Sequence, residues 1–529
     1  MRIKNIGLVI ILIATSLGSC KKFLDVNTDK TFPQEVSPEV LIAPITFRMA
    51  EGLSFDNRTV NKYIQYFVGS SDNVEGSLYW ERHGHNQPQE NVGERMWRTV
   101  YFDLGKNLEE MIRLGKEDGK TEFVGIGYAI KAWAYQMLTD LHGPIVLDQA
   151  FEENRLSFAY QDQPEVYAKV RQWCDSALKY LNAKPIQSSA KHLASYSGDN
   201  IYGGDLIKWT KFTHAIRAIQ YSRLINKPAF KTSYADSVLK YTDLSFANLN
   251  DDARVRFRAS SEATSNVWGT EISRLRNTQF MHAGTPILKY LTGGIHGEFK
   301  ADTTSSTDPR LMRMLVRTFS DSVFRAATPG AGAANASIPA MVGRMDNNEY
   351  LGKFIFKNNA SFPIITHAQM LFIRSEAAFY KGDMDVAYDC YRRGIIASMD
   401  FVNSYLSATG MGDEARISEP EALAYVSSSE VVQSTDKLSL GIKDIMLQKY
   451  IALWPWGSIE TWSDMRKYQY DLSIYKHFHP VNLLHGEYAY RLKPRYYSEY
   501  NWNRKELEKW GGLEPNYGTK KVWFVTPDN

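Results

Sequence analysis

Three sets of side chains in this sequence could do chemistry: one cysteine near the N-terminus, two groups of loop aromatics among polar residues, and two histidine pairs. Cys20 follows Leu17-Gly18-Ser19, behind a basic head (Arg2, Lys4) and an apolar run from Ile6 to Leu17. That order describes a secretory signal, and the run is too short to stay in a bilayer as a spanning helix. A cysteine directly after Leu-Gly-Ser resembles a lipobox. The expectation is therefore a lipoprotein signal peptide over 1–19, cut before Cys20, with Cys20 carrying the lipid that tethers the chain to the membrane.

The aromatic groups suggest a different chemistry. Neutral sugars have hydroxyl edges and apolar C–H faces, so a site for them needs exposed rings beside amides, carboxylates or guanidinium groups. Residues 72–91 supply Asp72, Asn73, Tyr79, Trp80, Arg82, His83, His85, Asn86 and Gln87, and Trp80 stands outside any helical period. A second group combines Trp268, Arg274, Arg276, Asn277, Gln279 and Tyr290. From these, Asp72, Asn73, Tyr79, Trp80, Trp268, Arg276, Gln279 and Tyr290 are the expected ligand contacts, with Trp80 an exposed stacking ring.

The histidines are less promising. His83-x-His85 and His477-x-His479 have no cysteine or carboxylate pair at ligand spacing, and two ligands do not make a site. They read as solvated or hydrogen-bonded, with no metal and no cofactor expected. A calcium ion held by carbonyl and carboxylate oxygens would leave little trace in a sequence, so calcium stays open. Catalytic motifs are missing too: there is no Gly-x-Ser-x-Gly elbow, no His-Glu-x-x-His and no Gly-x-x-x-x-Gly-Lys. Two carboxylates could hydrolyse a glycosidic bond, but among 59 Asp and Glu a pair carries no information by itself.

The elements that must position these residues read as mostly α. Apolar residues recur at threes and fours over 93–116, 121–141, 163–182, 205–225, 233–249, 366–382, 383–399, 438–454 and 457–470. Between them, 70–92, 183–204, 250–365 and 471–497 are irregular and rich in Gly, Ser, Asn and Asp, and 327–339 reads as flexible. Loops of such length inside a compact unit usually carry function, so the ligand site is expected there. One helix pair fits a tetratricopeptide hairpin: Leu371, Ser375, Ala378, Gly382, Ala387, Tyr391 and Gly394 alternate large and small residues at that spacing. Trp209, Trp454 and Trp462, with Gln448, Lys449 and Arg466, lie at helical spacing and are read as core and helix locks.

Length alone, 529 residues, would suggest two or three domains. A formal charge of only +3 lacks the basic field of a general nucleic-acid binder, so no nucleic acid is expected. Beyond Cys20 only Cys174 and Cys390 remain, each in a helical pattern, and both are read as buried free thiols. Stability must then come from packing, which 12 Trp, 25 Phe and 31 Tyr can supply.

Several stretches, in order, resemble the SusD/RagB nutrient-binding lipoproteins, especially the SusD-like type 2 branch. They are Cys20-Lys21-Lys22-Phe23-Leu24-Asp25-Val26-Asn27; Ala129 to Ala150, around Leu138-Thr139-Asp140-Leu141-His142-Gly143-Pro144-Ile145; and Gly204-Asp205-Leu206-Ile207-Lys208-Trp209-Thr210-Lys211-Phe212. Gln448-Lys449-Tyr450-Ile451-Ala452-Leu453 with Glu460-Thr461-Trp462-Ser463-Asp464-Met465-Arg466-Lys467 makes the fourth, followed by Pro494-Arg495-Tyr496-Tyr497 and Glu499 to Asn503. His142 and Pro144 depart from the tyrosine and aspartate that family members have there.

The resemblance implies one domain over 20–529, an α/α superhelix in which four degenerate tetratricopeptide-like hairpins form a scaffold for long loop insertions. It also implies an early-loop aromatic as ligand contact and an outer-membrane location, exposed at the cell surface. The implied partner is a SusC-type TonB-dependent transporter, on which the lipoprotein sits as a lid. The leading expectation is thus capture of an oligosaccharide, without catalysis. Two alternatives stand beside it: peptide capture, as on the RagB side of the family, and a helical glycoside hydrolase.

Overall fold

The computed structural model describes residues 36–69, 77–84, 94–269, 281–293, 308–318, 321–331, 338–344, 350–428, 436–479 and 481–528. Its long helices are α1 (Pro38–Tyr63), α2 (Gly105–Glu117), α3 (Thr121–His142), α4 (Gln163–Leu181), α5 (Leu206–Ser222), α6 (Ala235–Asp243), α7 (His367–Lys381), α8 (Met384–Asn403), α9 (Ile442–Leu453) and α10 (Ser458–Lys467). Strands are short and pair two by two, all antiparallel: β1 (Phe67–Gly69) with β5 (Met281–Ala283), β2 (Ile145–Val146) with β3 (Tyr160–Gln161), β4 (Ala253–Val255) with β8 (Phe362–Ile365), and β6 (Gly343–Arg344) with β7 (Tyr350–Leu351). Mostly α is therefore the fold class.

Helix ends follow capping chemistry. Asp162 and Glu165 form a capping box at the start of α4, Asp205 accepts from the amides of Ile207 and Lys208 to open α5, and Thr366 accepts from Gln369 to open α7. The pairs α3/α4, α5/α6, α7/α8 and α9/α10 each lie side by side, with α4 against α5 and α6 against α7, so the scaffold coils through four helical pairs. In α7/α8 the tetratricopeptide spacing works as expected. Ser375 donates to the Ala387 carbonyl at 2.7 Å, Tyr391 is buried, and a side chain on Gly394 would meet the Phe372 ring at 3.0 Å. Between the helices, Gly382 turns the chain at φ +80°.

Two expectations need correction. The pattern over 93–116 is not one helix: Arg95–Arg98 runs into a π-helical turn, Thr99–Asp103, before α2 begins. And α1 has no counterpart among the expected helices. Pro44 lies inside it, and Gly52, Asp56 and Asn57 are poor helix formers, so its sequence does not read as a helix although polar Asp56, Asn57 and Asn61 are buried in it.

Where the helices converge, the core is ionic as well as apolar. Arg223 meets Asp140 at 3.1 Å and Glu460 at 2.5 Å; Lys449 and Lys467 meet Asp464 at 2.8 and 2.9 Å; Lys467 also meets Glu376 at 2.9 Å. All are buried. Burial alone would raise the Asp464 carboxyl, but Lys449 and Lys467 outweigh it and bring it down to about 2. Arg466 lies 3.9 Å from the ring centroid of Trp462 and donates to the carbonyls of Asp140 and Tyr490. Trp209 donates to Asp199, which also accepts from Ile201 and Gly204. The tryptophans and charged residues read from sequence as scaffold locks are scaffold locks, and Cys174 and Cys390 are buried free thiols.

Candidate ligand-binding face

The strand pair β1–β5 organises the loop-bearing side of the molecule. Gly69 at the end of β1 stands opposite Met281 at the start of β5, so the two strand ends adjoin. One carboxylate holds this end together. Glu81, buried on the short helix Ser77–Glu81, accepts from the Gly69 and Gly330 amides, each at 2.8 Å. Burial raises its carboxyl, against those two amides, which favour the charged form.

Further bonds bring in the chain near the C-terminus. Tyr63 donates to the Gly84 carbonyl at 2.8 Å, and its ring stacks on His83 at 5.0 Å. The Ala489 amide donates to His83 Nδ1 at 3.2 Å, so His83 accepts there and its proton sits on Nε2. Arg82 donates to the Asn482 carbonyl, and Gln65 exchanges two bonds with the His479 backbone. Residues 65–69, 79–84, 281–284, 327–330, 477–479 and 481–490 therefore meet on one face, with Asn482, His485 and Glu487 exposed on it.

The expected contacts fall into two groups. Cys20, Asp72, Asn73, Arg276 and Gln279 lie outside the described residues, as do His85 and the stretch 332–337. Tyr79, Trp80, Trp268 and Tyr290 are described, and none is the exposed platform its loop context suggested. Trp80 is 4% exposed and packs on Tyr63 and Tyr79, with centroids at 5.8 and 5.6 Å. Trp268 is fully buried, stacks on Phe356 and donates from Nε1 to the Ser54 carbonyl at 3.0 Å. Tyr290 lies against Tyr450, and its hydroxyl accepts from the His477 amide at 3.1 Å. Each ring is large enough to repay burial, and the polar atoms of Trp268 and Tyr290 find partners inside. The two aromatic groups pack into the core through different neighbours, Trp80 on Tyr63, Trp268 on Phe67 and Phe356, and Tyr290 on Tyr450.

Elsewhere the described surface offers grooves of mixed polar and apolar lining. One of about 400 Å³ is lined by Asn248, Asp252, His367, Arg393, Asp400 and Arg416. A second, of about 310 Å³, shares Ile396 and Asp400 with it along α8. The first groove has two carboxylates, but Asp252 is engaged by Arg254 and by the His367 amide, each at 2.7 Å. Among the described residues no group of three or more His, Cys, Asp and Glu is placed to hold a metal. Burial pushes His477 down to about 4, so it stays neutral. Among these residues, too, no helix is long and apolar enough to cross a membrane.

Sequence reasoning passed over the rings that are exposed. Trp502 is 82% exposed, and Phe102, Tyr196 and Tyr497 also face solvent. The available signal was the density of aromatics in Tyr496-Tyr497-Ser498-Glu499-Tyr500-Asn501-Trp502, which has no α-helical apolar stripe to absorb them.

A family profile described as "SusD-like_2: Starch-binding associating with outer membrane" matches residues 30–476. No curated protein matches the chain. Among solved structures, a SusD/RagB family protein from Bacteroides thetaiotaomicron superposes with a TM-score of 0.71 at 20% identity, covering 94% of this chain and 100% of that one. A chitin-binding protein gives 0.67 at 18% identity, covering 93% and 100%. A chitin-binding SusD homolog from Flavobacterium johnsoniae gives 0.66 at 16%, covering 93% and 99%. At these identities the likeness establishes a shared helical fold; what each of those proteins binds is a property of that protein.

Proposed function

We propose, from the premise that this chain belongs to the SusD-like family, described as starch-binding and associating with the outer membrane, that it is a surface lipoprotein which captures oligosaccharides and passes them to a SusC-type TonB-dependent transporter. The observation that carries the reading is the match over residues 30–476, which spans the scaffold and the loop-bearing face alike. Binding, not turnover, is the proposed activity.

The proposed site lies at the open end of β1–β5. Asp72 and Asn73 follow β1 in the chain, and Arg276 and Gln279 precede β5, so the paired strand ends support their acting on one ligand. Tyr79 and Trp80 serve beneath, as supports for the loops. Cys20 is the proposed lipid anchor. No cofactor enters this reading.

Two measurements test it. Calorimetric titration with starch- and chitin-derived oligosaccharides should give saturable binding that falls at least tenfold in the quadruple variant Asp72→Ala/Asn73→Ala/Arg276→Ala/Gln279→Ala. Unchanged affinity would remove the site from the β1–β5 end. For the anchor, Cys20→Ser should move the protein out of the membrane fraction, and continued retention there would refute lipidation.

A further inference from the structure

The C-terminal aromatics play no part in that reading, and their geometry is unusual. Tyr496–Trp502 is a π-helix. Pairing each residue with the fifth one along is rare, and where it occurs it frequently marks a functional site. Here the surroundings hold it firmly. Glu499, buried, accepts from the Tyr160 hydroxyl and from Asn503 Nδ2. Asn503 then clamps the chain beside it. Its Oδ1 accepts from the Phe158 amide at 2.9 Å and the Ser157 hydroxyl at 3.3 Å, and its Nδ2 donates to the Phe158 carbonyl at 2.9 Å. Tyr500 donates to the Gly512 carbonyl at 3.0 Å.

This lock uses the inner side of the helix and leaves the outer side uncommitted. In a helix closed by i→i+5 bonds, Asn501 and Trp502 both lie one turn on from Tyr497, to either side of it. Trp502 is 82% and Tyr497 54% exposed, and Asn501 is exposed with them. Leu156, one residue from the Ser157–Asn503 bond, is open to solvent as well. One of two further π-turns among the described residues, Thr99–Asp103, is a neighbour: it follows Trp97, whose ring lies 6.2 Å from that of Tyr160, the donor to Glu499. A single exposed ring needs no explanation. Two rings and an amide sharing one face of a rare helix, fixed from behind by buried hydrogen bonds, do.

We propose that Tyr497, Asn501 and Trp502 form a second carbohydrate platform, separate from the β1–β5 end, that takes pyranose units of a long glycan chain. The proposal rests on the carbohydrate-capture reading and extends it. The rings supply stacking surfaces for C–H faces, and the Asn501 amide supplies both donors and an acceptor for hydroxyls. The site is a face, not an enclosed cavity, which suits a polymer over a small molecule. Its individual affinity is expected to be low; a chain long enough to touch both sites gains through effective concentration.

Affinity electrophoresis of the full chain in native gels containing soluble starch or glycol chitin tests this. Tyr497→Ala/Trp502→Ala should lose at least threefold of the polysaccharide retardation at unchanged Tm, and Trp502→Phe should retain most of it. Short oligosaccharides should bind the double variant as they bind wild type. If wild type is retarded and the double variant equally so, the platform is refuted while glycan capture stands. If wild type is retarded by neither polymer, platform and capture reading fall together. Wild-type retardation with loss of transporter co-purification in the double variant would also overturn the platform, making these rings a protein contact.

Discussion

Trp462 and Trp502 are the same side chain in opposite circumstances. Trp462 is fully buried, donates from Nε1 to the Tyr470 hydroxyl at 2.7 Å and carries the Arg466 guanidinium on its face. Trp502 stands out in solvent on a helix held from behind. The first belongs to a Glu-Thr-Trp block that draws the eye in sequence; the second lies in a tail that does not. Their difference teaches that recognisability and availability to a ligand are separate properties. A motif recurs wherever a fold needs the same lock, whereas a binding ring has only to be exposed, fixed and flanked by hydrogen-bonding groups.

Substitutions can break this contrast, starting inside. Arg223→Ala leaves Asp140 and Glu460 buried without their cation, and denaturant unfolding should register a loss of about 3–5 kcal/mol. Trp462→Ala should cost about 4 kcal/mol, through a cavity and an orphaned Tyr470 contact. Trp80→Ala should cost about 3 kcal/mol, since that ring is packed on Tyr63 and Tyr79; any loss of glycan affinity would follow from the loops above it.

A smaller, pH-dependent effect comes from Asp56. Burial raises its carboxyl to about 6 even though the amides of Met96 and Arg95 donate to it. Folded Asp56 thus keeps a proton that the unfolded chain releases near pH 4, so its contribution to stability is lost as pH rises from about 4 to about 6. The stability of Asp56→Asn relative to wild type should improve across that window, followed by urea midpoints; a flat difference would place Asp56 in a more polar setting. Last comes Trp502→Ala, expected to change stability by less than about 0.5 kcal/mol. A large loss there would erase the contrast with Trp462.

Much of the scaffold was legible. The helices that bury one face behind a capped start, such as α4 and α8, announce themselves by spacing and caps, and the Ser375, Ala387 and Gly394 positions identify a hairpin by the closeness they permit. Helix α1 escaped because Pro44 lies inside it and Gly52, Asp56 and Asn57 are poor helix formers, so its sequence does not read as one helix. The site was legible only in part. Loop context suggested exposed rings at Trp80 and Trp268, but exposure depends on what packs across the chain, such as Tyr63 on Trp80 and Phe356 on Trp268, and no local pattern encodes that. The π-helix was invisible for a related reason: it is imposed by Asn503 clasping residues 157 and 158, distant in sequence.

The central claim is capture of carbohydrate without turnover. Its most direct test is calorimetric titration of the lipid-free chain from residue 21 onward with starch- and chitin-derived oligosaccharides, followed by chromatographic sizing of the recovered glycan. The account predicts saturable binding to at least one series, with the glycan returned at its original length. Shortened glycan, or saturable binding of peptides with none of any glycan, would contradict it.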